Sequence, residues 1–92
     1  MKALIRLKKI IFRAFLYVFN PERCVPRVIH YEDKEWYLGE HTKEMISGEI
    51  GTYVHYLRFD KKDTIYLMEV SHKNRATAYR ELHWALWKWG IF

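Results

Sequence analysis

The segment 51–72 constrains the fold of this chain most strongly, because it has the pattern of a β-hairpin. Two runs rich in aromatic and β-branched residues, 52–59 and 64–71, flank the polar loop Asp-Lys-Lys-Asp. Such runs around a four-residue polar loop are typical of antiparallel strands joined by a tight turn. The chain is therefore expected to contain an antiparallel sheet.

Pairing Phe59 with Thr64 across that loop determines which side chains share a face. His55 then lies opposite Met68. One face carries Tyr53, His55, Leu57, Phe59, Tyr66, Met68 and Val70, and the other carries Val54, Tyr56, Arg58, Ile65, Leu67 and Glu69. Neither face is polar, so both need cover, from two helical layers or from a partner.

The last part of the chain, Asn74 to Phe92, has the pattern of an amphipathic helix. Its core-facing stripe is predicted to contain Ala78, Leu82, Ala85, Leu86 and Trp89, with Tyr79 at the edge. The side that should face water carries Arg80, His83, Trp84, Trp87 and Lys88. Trp and Arg are enriched among the anchor residues of interfaces, so these five residues are predicted to bind a partner. The alternative is that a second layer of the same chain covers the two indoles.

Residues 2–19 predict another helix, which Asn20-Pro21 should end, with Asn in a left-handed cap. A basic stripe runs along an otherwise apolar circumference that only Lys8 breaks: Lys2, Arg6, Lys9 and Arg13. The segment is too short and too charged to span a bilayer, and it lacks the features of a signal peptide. It could be a core helix, an interfacial membrane helix or a partner-facing helix. We expect a core helix, and membrane binding is not expected.

The middle of the chain supplies the remaining strands. Residues 27–38 have the pattern of a hairpin around Glu32-Asp33-Lys34. Residues 39–50 are predicted to form a short helical turn capped by Thr42 and ended by Gly48, with a short strand over 44–47 as the alternative. The expected architecture is α+β in one domain: an N-terminal helix, an antiparallel sheet of about four strands in two hairpins, and a C-terminal helix packed on the sheet.

Charge and cysteine content limit the kinds of partner and the cellular compartment that we expect. The net charge is +5, and residues 1–34 hold eight Lys and Arg against three acids, so anionic partners are permitted. The single cysteine, Cys24, cannot form an intramolecular disulfide, which makes a reducing cytoplasm the expected location. Cys24 is expected to be buried or inert rather than a nucleophile.

Motifs for catalysis or metal binding are absent from the sequence. The five histidines (30, 41, 55, 72 and 83) lack the spacing of a metal site, so neither a metal nor a cofactor is expected. A small metal-independent ribonuclease would need a histidine beside a cation. His55 with Arg58, or His72 with Lys73 and Arg75, supplies those residue types. We favour the other interpretation, in which these are half-buried histidines of an antiparallel sheet and basic residues that open a helix. No catalytic residue is predicted.

A basic cluster lies where the last strand meets the last helix. Asn74 is the natural N-cap there. Backbone amides at this helix end, with His72, Lys73 and Arg75 beside them, would suit a phosphate or a carboxylate. The order helix, antiparallel strands, helix resembles that of double-stranded-RNA-binding domains. The resemblance covers element order alone, and it implies RNA as an alternative partner.

Together these patterns predict a small, basic, non-enzymatic binding protein. Its expected partner is a protein or a nucleoprotein complex, bound through the basic and aromatic face of the last helix. A chain of this size and kind would suit an inhibitor or adaptor of larger machinery, including the host-takeover proteins that phages encode. RNA binding is the first alternative and a small ribonuclease is the second. A homo-oligomer is compatible with the same surface.

Overall fold

The computed structural model describes the backbone of residues 2–91 and the side chains of residues 11–91. In chain order it contains helix α1 (Lys2–Phe19), a 3₁₀ helix (Pro21–Arg23), strands β1 (Val28–Tyr31), β2 (Lys34–Glu44), β3 (Ile50–Asp60) and β4 (Asp63–His72), and helix α2 (Arg75–Lys88). The strands form one antiparallel sheet in the order β1-β2-β3-β4, and α2 packs on it. The predicted α+β architecture is confirmed. Across the described residues, no helix has both the length and the apolar character to cross a membrane.

The first hairpin turns at the predicted place and does so with two residues. Tyr31 pairs with Lys34, and the residues between them, Glu32 and Asp33, have φ angles of 53° and 62°. Two successive residues with positive φ are typical of the type I′ turn, whose twist matches that of the flanking strands. Lys34, expected in the turn, is already the first residue of β2.

The helical turn predicted within 39–50 is wrong. Strand β2 continues to Glu44, so Thr42 pairs with Thr52 of β3 instead of capping a helix. The alternative strand over 44–47 is wrong as well, because the chain leaves the sheet after Glu44 and turns through Gly48 (φ 88°). The long β3 strand offers a continuous ladder of backbone hydrogen bonds, which outweighs short local capping signals.

The second hairpin turns at the predicted place, but Asp60 pairs with Asp63, so the turn has two residues instead of the predicted four. The hairpin also contains a β-bulge. Phe59 pairs with Thr64 as expected. Leu57 pairs with Tyr66, but the next residue inward, Tyr56, pairs with Met68, so the register shifts by one residue between these two pairs. A bulge adds one residue to one strand and exchanges the faces of the residues beyond it. The faces predicted for Met68, Glu69 and Val70 are therefore wrong, and His55 pairs with Glu69 instead of Met68.

The core lies between α2 and one face of the sheet. Ala78, Leu82 and Leu86, predicted to face inward, are fully buried there, as are Val54 and Tyr56 of β3. Ile29 and Trp36 extend this core to the first hairpin, and Tyr79 is buried beside them. The buried Tyr56 hydroxyl donates a 2.6 Å hydrogen bond to the Pro26 carbonyl, which ties the loop before β1 to the middle of the sheet.

Helix α2 ends earlier than predicted, because Gly90 stops it. Gly90 has a φ of 74°; its N–H donates to Trp87 O (3.1 Å), and the Ile91 N–H donates to Leu86 O (3.0 Å). This is the Schellman arrangement, which satisfies the last carbonyls of a helix. Trp89 was predicted in the core-facing stripe, but its side chain is 45% exposed, so the prediction that it is buried is wrong. Phe92, predicted to close the helix, lies outside the described residues.

Helix α1 has the predicted bounds but is not the core helix expected from its sequence. Among its described side chains, five apolar residues are more than half exposed: Ile11, Phe12, Phe15, Val18 and Phe19. Leu16 and Tyr17 do pack against the core. The reason is geometric: α2 already covers the inner face of the sheet, and α1 approaches the body of the protein through its last turns. Pro21 ends the helix as predicted, but Asn20 (φ −145°) is not left-handed.

Arg80 fixes the end of α1 against α2. Its Nε donates to the Tyr17 carbonyl (3.0 Å) and its Nη2 to the Val18 carbonyl (3.2 Å). The last carbonyls of a helix lack partners within that helix, so a guanidinium is a suitable donor for them. Arg80, predicted to bind a partner, thus has a structural role between the two helices.

Candidate protein-binding surface

The start of α2 is fixed by the predicted cap. The Asn74 side chain accepts a 3.2 Å hydrogen bond from the Thr77 N–H, which confirms Asn74 as the N-cap. With Leu82 and Leu86 buried against the sheet, the helical period turns the opposite side of α2 outward. That side carries Trp84, Trp87 and Lys88, which we call the tryptophan surface.

Both indole rings of this surface are exposed and yet held in place. Trp84 is 54% exposed and Trp87 is 45% exposed. The Trp84 Nε1–H donates to the Tyr17 hydroxyl (2.8 Å), and the Trp87 Nε1–H donates to His83 Nε2 (3.1 Å). The Tyr17 ring also meets the Trp84 ring edge-on, with centroids 6.0 Å apart. The N–H group of each indole is therefore hydrogen-bonded within the chain, and the exposed part of each ring consists of carbon atoms.

His83 supports this surface from below and is not part of it. It is only 7% exposed, so the prediction that it faces water is wrong: Tyr17 of α1, with ring centroids 5.2 Å away, and the segment around Cys24 cover it. Its Nδ1 lies 3.3 Å from the Cys24 carbonyl oxygen, which only accepts, so Nδ1 carries the proton and Nε2 accepts from Trp87. Burial lowers the pKa of His83; the Cys24 hydrogen bond opposes this shift, and the Arg13 charge adds to it.

Because His83 is neutral in the folded chain, stability should depend on pH. Its pKa is depressed on folding from a value near 6.5, so the unfolded chain binds more protons as the pH falls through that value. We expect the free energy of unfolding to decrease between about pH 7 and pH 5. Urea unfolding at these two pH values measures the change. His83→Asn, whose amide can still donate toward the Cys24 carbonyl, should show a smaller decrease; an equal decrease in this variant would contradict the assignment.

The basic cluster predicted to bind an anion is largely occupied by contacts within the chain. Arg75 contacts the carboxylates of Glu22 and Glu40, with its Nε 2.9 Å from Glu40 Oε2. The Arg75 hydrogen bond lowers the pKa of Glu40. His72 accepts the Asn74 N–H through Nδ1 (2.9 Å), while Lys73 is exposed. Anion binding by His72, Lys73 and Arg75 stays a prediction, and two carboxylates beside Arg75 weaken it.

Of the two residue sets proposed for a ribonuclease, His55 and Arg58 are not brought together. The set of His72 with Lys73 and Arg75 stays a prediction. His55 and Arg58 lie on opposite faces of β3: Arg58 stands over the Trp36 ring on the core side, 5.2 Å from its centroid. His55 instead contacts Glu69, with Nδ1 3.1 Å from Oε2. Burial lowers the pKa of His55, and the Glu69 charge opposes that shift.

Cys24 is fully buried, as expected, and lies close to the Tyr79 carbonyl, with Sγ 3.7 Å from the oxygen. Burial raises the pKa of its thiol to about 11. A thiol with such a pKa is almost entirely protonated at neutral pH, and the protonated form is a poor nucleophile. Cys24 is therefore a core residue.

Sequence reasoning missed the part that Tyr17 plays in this surface. Tyr17 and Trp84 lie 67 positions apart in the chain, and no local periodicity relates two such residues. The available signal was the aromatic residue near the end of α1, on the same side of the helix as Arg13, but its partner depends on how the two helices meet.

No protein-family model matches this chain, and searches of curated proteins and of solved structures return no match.

Proposed function

We propose that this chain is a non-enzymatic binding protein that docks on a protein partner, alone or within a nucleoprotein complex, through the tryptophan surface. The observation that carries the proposal is that Trp84 and Trp87 are about half exposed while their N–H groups are bonded inside the chain. Trp is among the residues that most often dominate binding energy in protein interfaces. A role as an inhibitor or adaptor follows from this docking activity, in the reducing cytoplasm that a single buried thiol suits.

The internal hydrogen bonds favour binding for two reasons. First, an indole N–H that already has a partner does not lose a bond to water when a second protein covers the ring. Second, Trp84 is held by Tyr17 and Trp87 by His83 before a partner arrives. Less rotamer entropy is then lost on association, at about 0.5–1.5 kcal/mol for each side chain that binding would otherwise immobilise.

The direction of the N–H groups also favours a protein cleft over a lipid surface. At a bilayer interface, Trp places its ring among the acyl chains and its polar edge toward water or headgroups. Here the polar edges of Trp84 and Trp87 point into the chain. The surface that remains is apolar, and it suits a cleft that encloses the rings.

The charge near the surface indicates the chemistry of the partner. Lys88 is exposed beside the indoles, and the whole chain carries a net charge of +5. An acidic rim around an apolar cleft would complement this arrangement and accelerate association. The exposed apolar side chains of α1, Phe12, Phe15 and Phe19, could enlarge the contact. We therefore infer a partner that offers an apolar cleft bordered by carboxylates.

Site-specific photo-crosslinking tests this proposal. A photoreactive amino acid placed at Lys88, next to the indoles, should give a covalent adduct with a protein in lysate. The matched control carries the same group at Lys62, an exposed lysine in the turn between β3 and β4. We expect the Lys88 adduct to disappear when Trp84 and Trp87 are also changed to alanine, because the complex no longer forms.

Three outcomes would contradict the proposal. Equal adducts from Lys88 and Lys62 would mean that the surface has no special role. Nucleic acid that copurifies at low salt and is released with a steep salt dependence would favour RNA binding instead. Co-sedimentation with vesicles of anionic lipid, lost when Phe12 and Phe15 are changed to serine, would identify α1 as an interfacial membrane helix.

A further inference from the structure

The face of the sheet opposite α2 brings together three residues with metal-binding side chains. His41 lies on β2, His55 on β3 and Glu69 on β4, so each of three adjacent strands supplies one of them. His55 pairs with Glu69 because of the bulge in the second hairpin. His41 pairs with Tyr53, two residues before His55, and therefore projects on the same face. The cluster thus depends on the register of both strand pairs.

The ligand atoms of these side chains converge. One nitrogen from each histidine and one oxygen from Glu69 all lie within 4.8 Å of one another. The closest pair is His55 Nδ1 and Glu69 Oε2, at 3.1 Å, and the two imidazole rings have centroids 5.3 Å apart. His55 is only 3% exposed, whereas Glu69 is exposed, so the cluster opens to solvent on one side.

The surrounding residues fix the two imidazoles. A Cβ at Gly39, which pairs with His55, would lie 2.5 Å from His55 Nε2, so the absence of a side chain there admits the ring. The Tyr66 ring meets His55 edge-on with centroids 5.0 Å apart, and the Tyr53 ring stacks on His41 at 5.1 Å. Two histidines with restricted rotamers lose less entropy when they bind a common ion.

We propose that His41, His55 and Glu69 form a binding site for Zn²⁺. Imidazole nitrogen and carboxylate oxygen are both common zinc ligands, and two histidines with one carboxylate form a known set for sites that keep an open position. Bonds of about 2.0–2.1 Å in tetrahedral geometry place ligand atoms about 3.3 Å apart. The spread of up to 4.8 Å must therefore contract by about 1.5 Å, which small rotations of the outer side chains, His41 and Glu69, can supply.

The site would leave a fourth coordination position that faces solvent. Three protein ligands are typical of zinc sites in which water or another small ligand completes the tetrahedron. Binding requires an unprotonated nitrogen from each histidine, so zinc affinity should fall as the pH is lowered. This site is separate from the tryptophan surface, which lies on α2 across the sheet.

Metal titration of the protein without a histidine tag tests the site. Calorimetry with Zn²⁺ should give one ion bound per chain, and Co²⁺ in its place should give visible absorption bands of tetrahedral intensity. His41→Ala and Glu69→Gln should each weaken zinc binding by more than about 100-fold, since even the loss of an outer-shell partner costs about 10–100-fold. These two residues are chosen because neither is fully buried, so the fold should survive, which circular dichroism checks.

A matched pair of controls lies on the same sheet. His30 and Glu35 are cross-strand neighbours on β1 and β2, both exposed, and they do not belong to the cluster. His30→Ala and Glu35→Gln should leave zinc affinity unchanged. Loss of affinity in these controls equal to that in His41→Ala, or no stoichiometric binding by the unmodified chain, would overturn the proposal and leave His55 and Glu69 as a hydrogen-bonded pair only.

Discussion

Trp84→Ala and Trp87→Ala should each weaken the complex with the protein partner by roughly thirty-fold to a thousand-fold. This range corresponds to about 2–4 kcal/mol, which is typical of a Trp that fills a desolvated pocket in an interface. Folding should be nearly unaffected, because each ring is about half exposed and lies on the side of α2 away from the core. A binding titration against the crosslinked partner gives the affinity, and thermal unfolding gives the stability.

Two further variants test the specificity of this expectation. Trp89 is also 45% exposed, but it lies beyond the end of α2, against the Tyr31 ring. Trp89→Ala should therefore have little effect on affinity. Arg80→Ala should lower stability, since Arg80 bonds the last carbonyls of α1, and it should weaken binding much less than Trp84→Ala does. If Trp84→Ala unfolds the chain while Trp89→Ala abolishes binding, the tryptophan surface is wrongly assigned.

Leu82→Ala should destabilise the fold by about 2–5 kcal/mol, the range for truncating a leucine at a well-packed site. Leu82 is fully buried between α2 and the sheet, so its removal leaves a cavity that the rigid sheet cannot close. Urea unfolding followed by fluorescence measures the change.

Leu57→Ala is the matched control, with the same chemical change on the opposite face of the sheet. Leu57 is only partly buried there, near Gly39. Leu57→Ala should therefore lower the free energy of unfolding by less than Leu82→Ala does. Equal losses would mean that the outer face of the sheet is packed as tightly as the core. That result would be inconsistent with a sheet covered by α2 on one side only.

The sequence by itself determined the elements that have strong local signals. Apolar residues that recur every 2 residues identified the second hairpin, and those that recur every 3.6 residues identified α2. Asn74 marked the start of a helix and Pro21 marked the end of one. The buried stripe of Ala78, Leu82 and Leu86 follows from the same helical period. These features depend on residues within a few positions of one another, so the local sequence is sufficient to predict them.

Boundaries and burial at the helix ends depended on competing contacts. Gly90 stops α2 although the apolar spacing continues past it, and Trp89, which follows that spacing, is 45% exposed. For α1 the spacing suggested a buried helix, but α2 covers the inner face of the sheet. Among the described side chains of α1, residues 11–19, five apolar ones are more than half exposed. An amphipathic pattern shows which residues share a side of a helix; what covers that side depends on the other elements.

The tertiary structure alone decided which residue holds Trp84 in place and which residues form the proposed zinc site. Tyr17 reaches Trp84 because Arg80 fixes α1 on α2, and this contact makes an exposed indole a rigid one. Glu69 reaches His55 because one extra residue in β4 exchanges the faces of the strand. Strand register and helix docking are set by many weak contacts between residues that are far apart in the chain. No short stretch of sequence therefore determines them.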